Sequence, residues 1–385
     1  MPRYKKSIAF YLECWGVGGI ETCTLNLIRR LAARGWSISL FAVYSVSDIF
    51  DEELRRLRVP LYVVFPRRTP SIFKRSLVGP REWGRYLASL RPWAVHIQTM
   101  SGLGFLYGEI ARRQGVTIRV IHSHNSDVGE GGKALKRALH YAYRAMYGSS
   151  ATLRLACSNS AGRFMFGTEK FLVAKNGINI ERFAFDGRRR NRFREELGLS
   201  EEALLVGNPS RVAPAKNPLF QLRVVKSLAD KNLDFRYVML TGDGELENEV
   251  ETCLLREGLE KRVIRLAPRP DVESVYCALD VMLFPSLFEG LGKVAIEAQC
   301  SGLPVVASYA VPEEACITDC LVRMSLEKGE DAWARAVLDA SAVKHDRARY
   351  AELVAQAGYD EGEALDEVVD AYESFYRHDS AAGEA

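Results

Sequence analysis

The sequence predicts an α/β protein of two doubly wound domains facing a cleft. Three observations predict it. Short β-branched runs alternate with amphipathic stretches along most of the 385 residues, the pattern of a parallel sheet covered on both faces by helices. The alternation breaks once, at a polar, arginine-rich stretch around 186–194. Charge divides at nearly the same place: residues 1–183 hold 28 Lys and Arg against 12 Asp and Glu, a net of +16, and residues 184–385 hold 24 against 37, a net of −13. Domains usually run to about 100–200 residues, so the length also suits two.

Taken in order, strands are expected at 8–12, 38–44, 61–65, 95–98, 118–122, 153–157 and 171–174, with helices at 21–34, 51–57, 82–90, 105–113 and 134–146 between them. In 21–34, Leu25, Ile28 and Leu31 recur at helical spacing and Gly35 suits the position just past the end. The stretch 186–194 reads as a linker or an exposed helix start. Strands then follow at 204–207, 235–241, 263–266, 281–284 and 304–307, separated by helices at 219–229, 247–257, 272–278 and 293–300. This divides the chain into domains at 1–183 and 184–362. Residues 363–385 form a last amphipathic helix, able to cross back to the first domain, and a frayed tail.

Composition sets the class. Hydrophobic residues make up 48% and charged residues 26%, the balance of a globular enzyme, which excludes collagen, a disordered chain and a small disulfide scaffold. No run of 18 apolar residues predicts a membrane-spanning helix. The basic start (Arg3, Lys5, Lys6) precedes an apolar run too short for a signal peptide. A cytoplasmic location is therefore expected. None of the eight cysteines forms a CxxC pair, so reduced, buried thiols are expected rather than disulfides or zinc ligands. The basic first half suits a nucleic acid, an anionic membrane face or a phosphorylated substrate. The segments 67–85 and 133–144 interleave cations with Phe73, Trp83, Tyr141 and Tyr143, as a membrane-facing surface would.

Ligands of open α/β sheets bind beyond the C-terminal strand ends, so the βα loops hold the candidate chemistry. The first is GVGGIE, with Gly16, Gly18 and Gly19 between a strand and a helix N-terminus. Its glycines admit close approach by a ligand, and the helix start offers N–H groups to an anion. It is not a GxGxxG, and no acid ends the second strand, which counts against a dinucleotide. The strand at 118–122 runs into HSHNSD, placing His122 and His124 at a strand end, where a histidine can meet a sugar hydroxyl or a developing charge. After the strand at 204–207, Arg211 and Lys216 can hold a nucleotide diphosphate by charge-assisted hydrogen bonds of about 1.5–3 kcal/mol each. They can stand in for a divalent metal, and the chain has no Asp-x-Asp. Gly242 opens a second glycine turn, TGDGE.

The most specific constellation is LFPSLFEGLGKVAIEAQCSGLPVVAS at 283–308. Glu289 sits in a loop, Gly290, Leu291 and Gly292 lead into a helix, and Glu297 lies within it, about 7.5 Å along from Gly292. Amides at 290–292 suit phosphate oxygens, Glu297 suits a ribose diol and Glu289 the sugar end. Carboxylates near an anomeric carbon also stabilise an oxocarbenium-like transition state.

At these motifs the chain resembles the group 1 family of glycosyltransferases, retaining enzymes of the GT-B fold with two Rossmann-like domains. The carriers are GGIE at 18–21, HSHN at 122–125, NGINIERF at 176–183, SRVAPAKNP at 210–218, TGDGE at 241–245 and the Glu-x7-Glu at 289–297. VPEEACIT at 311–318 is similar to the capsular and exopolysaccharide branch. The resemblance implies an acceptor-binding first domain and a second domain that holds a nucleotide-diphosphate sugar, with uridine the expected base. It implies diphosphate contacts from Arg211 and Lys216, a ribose contact from Glu297, and donor-sugar and phosphate contacts from Glu289 and 290–292. It implies a phosphate or acceptor loop at Gly18 and Gly19, and a sugar-side histidine at His124 or His122. Ser210 stands where the family has a glycine. The implied acceptor is a glycan or lipid-linked glycan. No metal, other cofactor or nucleic-acid partner is expected. Three alternatives use the same architecture: a nucleotide-sugar epimerase or phosphorylase, a non-catalytic nucleotide-sugar-binding protein, and a nicotinamide dehydrogenase.

Overall fold

A computed structural model describes residues 6–128, 132–200, 202–231, 233–241, 246–267, 269–343 and 346–382. The chain forms two compact units, Met1–Asn176 with Gly362–Ala385, and Gly177–Glu361. The first holds seven parallel strands: β1 (Ser7–Trp15), β2 (Ser37–Ser45), β3 (Leu61–Phe65), β4 (Ala94–Thr99), β5 (Ile118–Ser123), β6 (Leu153–Ala156) and β7 (Leu172–Val173). Their order is β3-β2-β1-β4-β5-β6-β7. The second holds six: β8 (Leu204–Asn208), β9 (Phe235–Leu240), β10 (Val263–Leu266), β11 (Val281–Phe284), β12 (Val305–Ser308) and β13 (Leu321–Met324), in the order β10-β9-β8-β11-β12-β13. Strand order thus reverses between β1 and β4 in one sheet and between β8 and β11 in the other. Those are the points where an open parallel sheet leaves a crevice at its C-terminal edge.

Side-chain alternation decides which layer covers which face. In the first unit Phe10, Leu12, Leu40, Ala94 and Val120 pack under helix Gly19–Ala33 and helix Glu361–Ala382. Tyr11 and Phe41 point the other way, into an aromatic cluster with Trp83 and Tyr107. Trp83 is fully buried there and donates to the Tyr107 carbonyl at 3.1 Å. Its expected place on an exposed amphipathic face is therefore corrected. Tryptophan went inward because that side of helix Ile72–Leu90 meets the sheet.

The C-terminal helix belongs to the first unit. Val368, Val369 and Tyr372 are in its core, and Asp366 pairs with Arg30 at 3.0 Å and Arg34 at 3.2 Å. Residues 362–385 carry seven Asp and Glu against one Arg, so the first unit is less basic than residues 1–183 alone.

The stretch expected as a linker or an exposed helix start is helix Gly187–Glu196, capped by Asp186, whose carboxylate accepts from the Arg188 amide at 2.8 Å. Arg190 and Arg194 face inward, while Arg188 and Arg192 are exposed. Arg194 is buried, 3.2 Å from Asp280, and Arg190 lies 2.6 Å from the same carboxylate. Both donate to the Ala278 carbonyl at the end of helix Val272–Ala278. Guanidinium groups there satisfy carbonyls that a helix end leaves open. The unit boundary accordingly falls at Asn176, seven residues before the expected one. Helix Ile180–Phe183 packs on helices of the second unit.

Candidate functional site

In the second unit the loop after β8 is tied to the loop after β11. The Asn217 amide side chain donates to the Pro285 carbonyl at 3.2 Å, and the Leu287 N–H donates to the Ala215 carbonyl at 2.8 Å. Gln221 secures the first loop from behind, donating to the Lys216 carbonyl at 2.6 Å. These bonds carry the Lys216 ammonium to 2.6 Å from Glu289 Oε1 and 5.0 Å from the centre of the Phe284 ring. Glu289 is 8% exposed. Arg211 lies in the same loop, exposed, with no ion-pair partner among the described residues.

The loop continues into helix Lys293–Cys300 through Gly292, which holds φ +77. A side chain in that left-handed conformation costs about 1–2 kcal/mol. The turn brings residue 292 close to Glu289, whose Cγ would lie 3.8 Å from a β-carbon there, and Leu291 is buried. One and a half turns on, Glu297 Oε2 accepts from the Tyr276 hydroxyl at 2.7 Å. Burial pushes the Glu297 carboxyl above the usual carboxylate range, against the pull of nearby Lys293 and of that hydrogen bond. Two buried polar groups at the same strand ends, Asn208 Nδ2 and Ser286 Oγ, make no hydrogen bond among the described residues. Ser210, in the family's glycine position, donates its hydroxyl to Asn208 Oδ1 at 2.7 Å. Gly242 lies outside the described residues.

In the first unit Gly18 caps helix Gly19–Ala33 with extended backbone. A β-carbon on Gly18 would lie 2.6 Å from Glu21 Oε2, and one on Gly16 2.7 Å from Val46. Gly18 thus makes room for the Glu21 carboxylate at the helix N-terminus, where negative charge is favoured, and Gly16 makes room for Val46.

His122 and His124 share a face. β5 ends at Ser123, but the His124 N–H still donates to the Thr99 carbonyl at 3.1 Å, so the alternation continues. Their rings lie 4.1 Å apart. His124 Nε2 bonds Gln98 Oε1, and His122 Nδ1 lies 3.1 Å from His96 Nε2. Gln98 also lines a small pocket of about 40 Å³ with Glu13, Glu21 and Thr99. Burial lowers all three imidazoles, His96 to about 3, His124 to about 4 and His122 well below its ordinary value.

These buried neutral rings make the first unit acid-sensitive. Between the folded values and the unfolded value near 6.5 the unfolded chain binds more protons, so stability is complete above about pH 7 and falls as the pH drops. At pH 5 each histidine held neutral costs roughly 2 kcal/mol. Thermal unfolding monitored from pH 7 to 5 is expected to show a steady fall in Tm. A flat profile over that range would mean that the rings are not held neutral.

The structure therefore brings Lys216 to Glu289 and sets the His122 and His124 rings side by side, tilted at 40°. Tyr276 and Gln98, the partners of Glu297 and His124, escaped the sequence reading. Tyr276 carried no local signal. Gln98 did: it and His96 are polar side chains two apart in an apolar strand, hence on one buried face.

Comparison with known proteins gives the family and the fold. The family model described as Glycosyl transferases group 1 matches residues 202–342, and that described as Glycosyl transferase 4-like domain matches residues 18–165. EpsF of Bacillus subtilis (strain 168), named as a glycosyltransferase, is 30% identical over 382 residues, which cover 97% of each chain. The UDP-Gal:alpha-D-GlcNAc-diphosphoundecaprenol alpha-1,3-galactosyltransferase of Escherichia coli is 28% identical, with 76% of each chain covered. Among solved structures, Anabaena Alr3699/HepE in complex with UDP and glucose superposes with a TM-score of 0.75 at 19% identity, covering 96% of this chain and all of that one. With two parallel Rossmann-like sheets, a GT-B fold and a full-length relative at this identity, the chain belongs to the group 1 glycosyltransferase family.

Proposed function

We propose that the protein is a retaining glycosyltransferase that moves a hexose from a UDP-sugar to a glycan or lipid-linked acceptor in polysaccharide assembly, without a divalent metal. The observation that carries the reading is the convergence at the β8–β11 reversal of Lys216, Glu289 and the Gly292-directed helix start. The diphosphate would lie against Arg211, Lys216 and the amides of 290–292, the ribose against Glu297, and the sugar toward Glu289. A nucleoside diphosphate is a good leaving group and needs charge stabilisation more than a proton. Two cations and a helix N-terminus supply it. With retention, the C1–O bond to the phosphate breaks and the acceptor oxygen bonds C1 on the same face. The departing phosphate oxygen takes the acceptor's proton. UDP-galactose in the Escherichia coli relative's name and UDP with glucose in the HepE complex support the donor class. Turnover of UDP-hexoses with chelator present, and NMR assignment of the product anomer, test the reading. Inversion, or strict dependence on added metal, would end the corresponding part.

A cytoplasmic membrane face is proposed for the acceptor side. Helices Ile72–Leu90 and Lys133–Tyr147 both pack against helix Leu103–Arg113. They expose Phe73, Leu77, Leu135, Leu139 and Met146 beside Lys74, Arg81, Lys136 and Arg137. Among the described residues no helix is long and apolar enough to cross a membrane. Flotation with anionic vesicles is expected at low salt and lost at high salt, and weakened by Phe73→Ser with Leu139→Ser. No flotation at low salt would remove the membrane from the account.

A further inference from the structure

A column of polar side chains is buried on the apolar face of the first sheet. His96 and Gln98 alternate along β4, and His122 and His124 run along β5 and just past it, with Gln98 paired in register to His122. Tyr372, on helix Glu361–Ala382, reaches the inner end of this column from 276 residues away. Its hydroxyl lies 2.5 Å from His96 Nδ1, and His96 Nε2 lies 3.1 Å from His122 Nδ1. Tyr372 and His96 are fully buried and His122 is 6% exposed. His122 Nε2, at the other end of the column, is buried without a hydrogen-bond partner among the described residues.

The direction of the bonds follows from donor and acceptor strength. Each ring is neutral and holds one N–H. A phenol is the stronger donor and an imidazole nitrogen the stronger acceptor, so Tyr372 donates to His96 Nδ1. His96 then carries its proton on Nε2 and donates it to His122 Nδ1. His122 is left with its proton on Nε2. His124 differs, because its Nε2 is engaged with Gln98 Oε1. A buried donor without an acceptor costs about 1–3 kcal/mol, and a substrate oxygen at His122 Nε2 would remove that cost.

We infer that Tyr372 is a positioning residue for the glycosyl-transfer site: through His96 it sets the tautomer and orientation of His122, holding an Nε2–H donor at the strand-end edge for an oxygen of the substrate. The inference rests on the glycosyltransferase reading of the strand-end histidines. It gives the C-terminal helix a part in catalysis beyond its packing, and it assigns the donor role to His122 rather than His124.

The test uses the full chain with ¹⁵N-labelled histidine. In the wild type, long-range ¹H–¹⁵N spectra are expected to show His122 as the Nε2–H tautomer. Tyr372→Phe keeps the ring and removes the donor. It is expected to mix the tautomers of His96 and His122 and to lower kcat about tenfold, a loss typical of removing an orienting partner. The loss in kcat is expected to exceed any change in KM, since Tyr372 acts only through His96 and His122. His96→Gln, which still accepts from Tyr372 and donates to His122, should retain activity, whereas His96→Leu should reproduce the loss even if Tyr372→Phe folds poorly. An Nδ1–H tautomer at His122 in the wild type would overturn the inference. So would a Tyr372→Phe protein with lowered Tm but unchanged kcat and spectrum. Should the wild type transfer no sugar at all, the spectra still decide the tautomer, and only the proposed function falls.

Discussion

Replacing Arg211 and Lys216 together by Gln and Met is expected to lower kcat/KM for sugar transfer by 10² to 10⁴. Each cation is proposed to make a charge-assisted hydrogen bond to the diphosphate, worth about 1.5–3 kcal/mol, and the pair sums to roughly 3–6 kcal/mol of transition-state stabilisation. Lys216→Met also leaves the buried Glu289 carboxylate without its 2.6 Å partner, so part of the effect could come from stability. Adding Glu289→Gln removes the charge that has lost its lysine, and it should restore Tm without restoring transfer. The exposed Arg211 has no such complication, and Arg211→Gln alone should lose about 10- to 100-fold with Tm unchanged. Steady-state kinetics beside thermal unfolding separate the two effects. Retention of wild-type kcat/KM in the double variant would remove the diphosphate from this loop.

Glu297→Gln is expected to raise the donor KM about 10- to 100-fold, the worth of a hydrogen bond to a charged acceptor, with a smaller change in kcat. A diol donating two hydroxyls needs the carboxylate form. Burial holds the carboxyl above its ordinary range, so donor affinity in the wild type should decline on acidification before an ordinary glutamate would protonate. Glu297→Gln should abolish that limb of the profile. Tyr276→Phe removes the 2.7 Å hydrogen bond to Oε2 and should move the limb to higher pH, because the bond favours the charged form. Identical pH profiles for wild type and Glu297→Gln would place the ribose elsewhere.

The difference between what could and could not be read from the sequence follows sequence separation. The Gly292 turn and helix Lys293–Cys300 are set within a dozen residues, so motif spacing exposes them. Arg211 and Lys216 fall beyond β8, and the topology that makes this a strand-end loop is itself periodic in the sequence. The partners that orient these groups are different in kind. Tyr276 meets Glu297 from another helix, and Tyr372 meets His96 from the far end of the chain. No local pattern marks such contacts.

The arginine-rich stretch, read as a linker or an exposed helix start, was legible only in part for the same reason. Its polarity resembles a linker until Asp280 and the Ala278 carbonyl arrive from more than 80 residues on to neutralise Arg190 and Arg194. β13 escaped because Arg323 interrupts a four-residue edge strand, too short for alternation to register. Trp83 was misplaced because cations flank it in sequence, while its helix turns it toward Tyr11 and Phe41.

The central claim is that the second unit grips the nucleotide end of a sugar donor. A crystal soaked with UDP-glucose tests it most directly. The account predicts pyrophosphate oxygens within hydrogen-bonding distance of Arg211, Lys216 and the amides of residues 290–292, with both ribose hydroxyls on Glu297. Well-defined donor density away from those groups, or a ribose with no contact to Glu297, would contradict it.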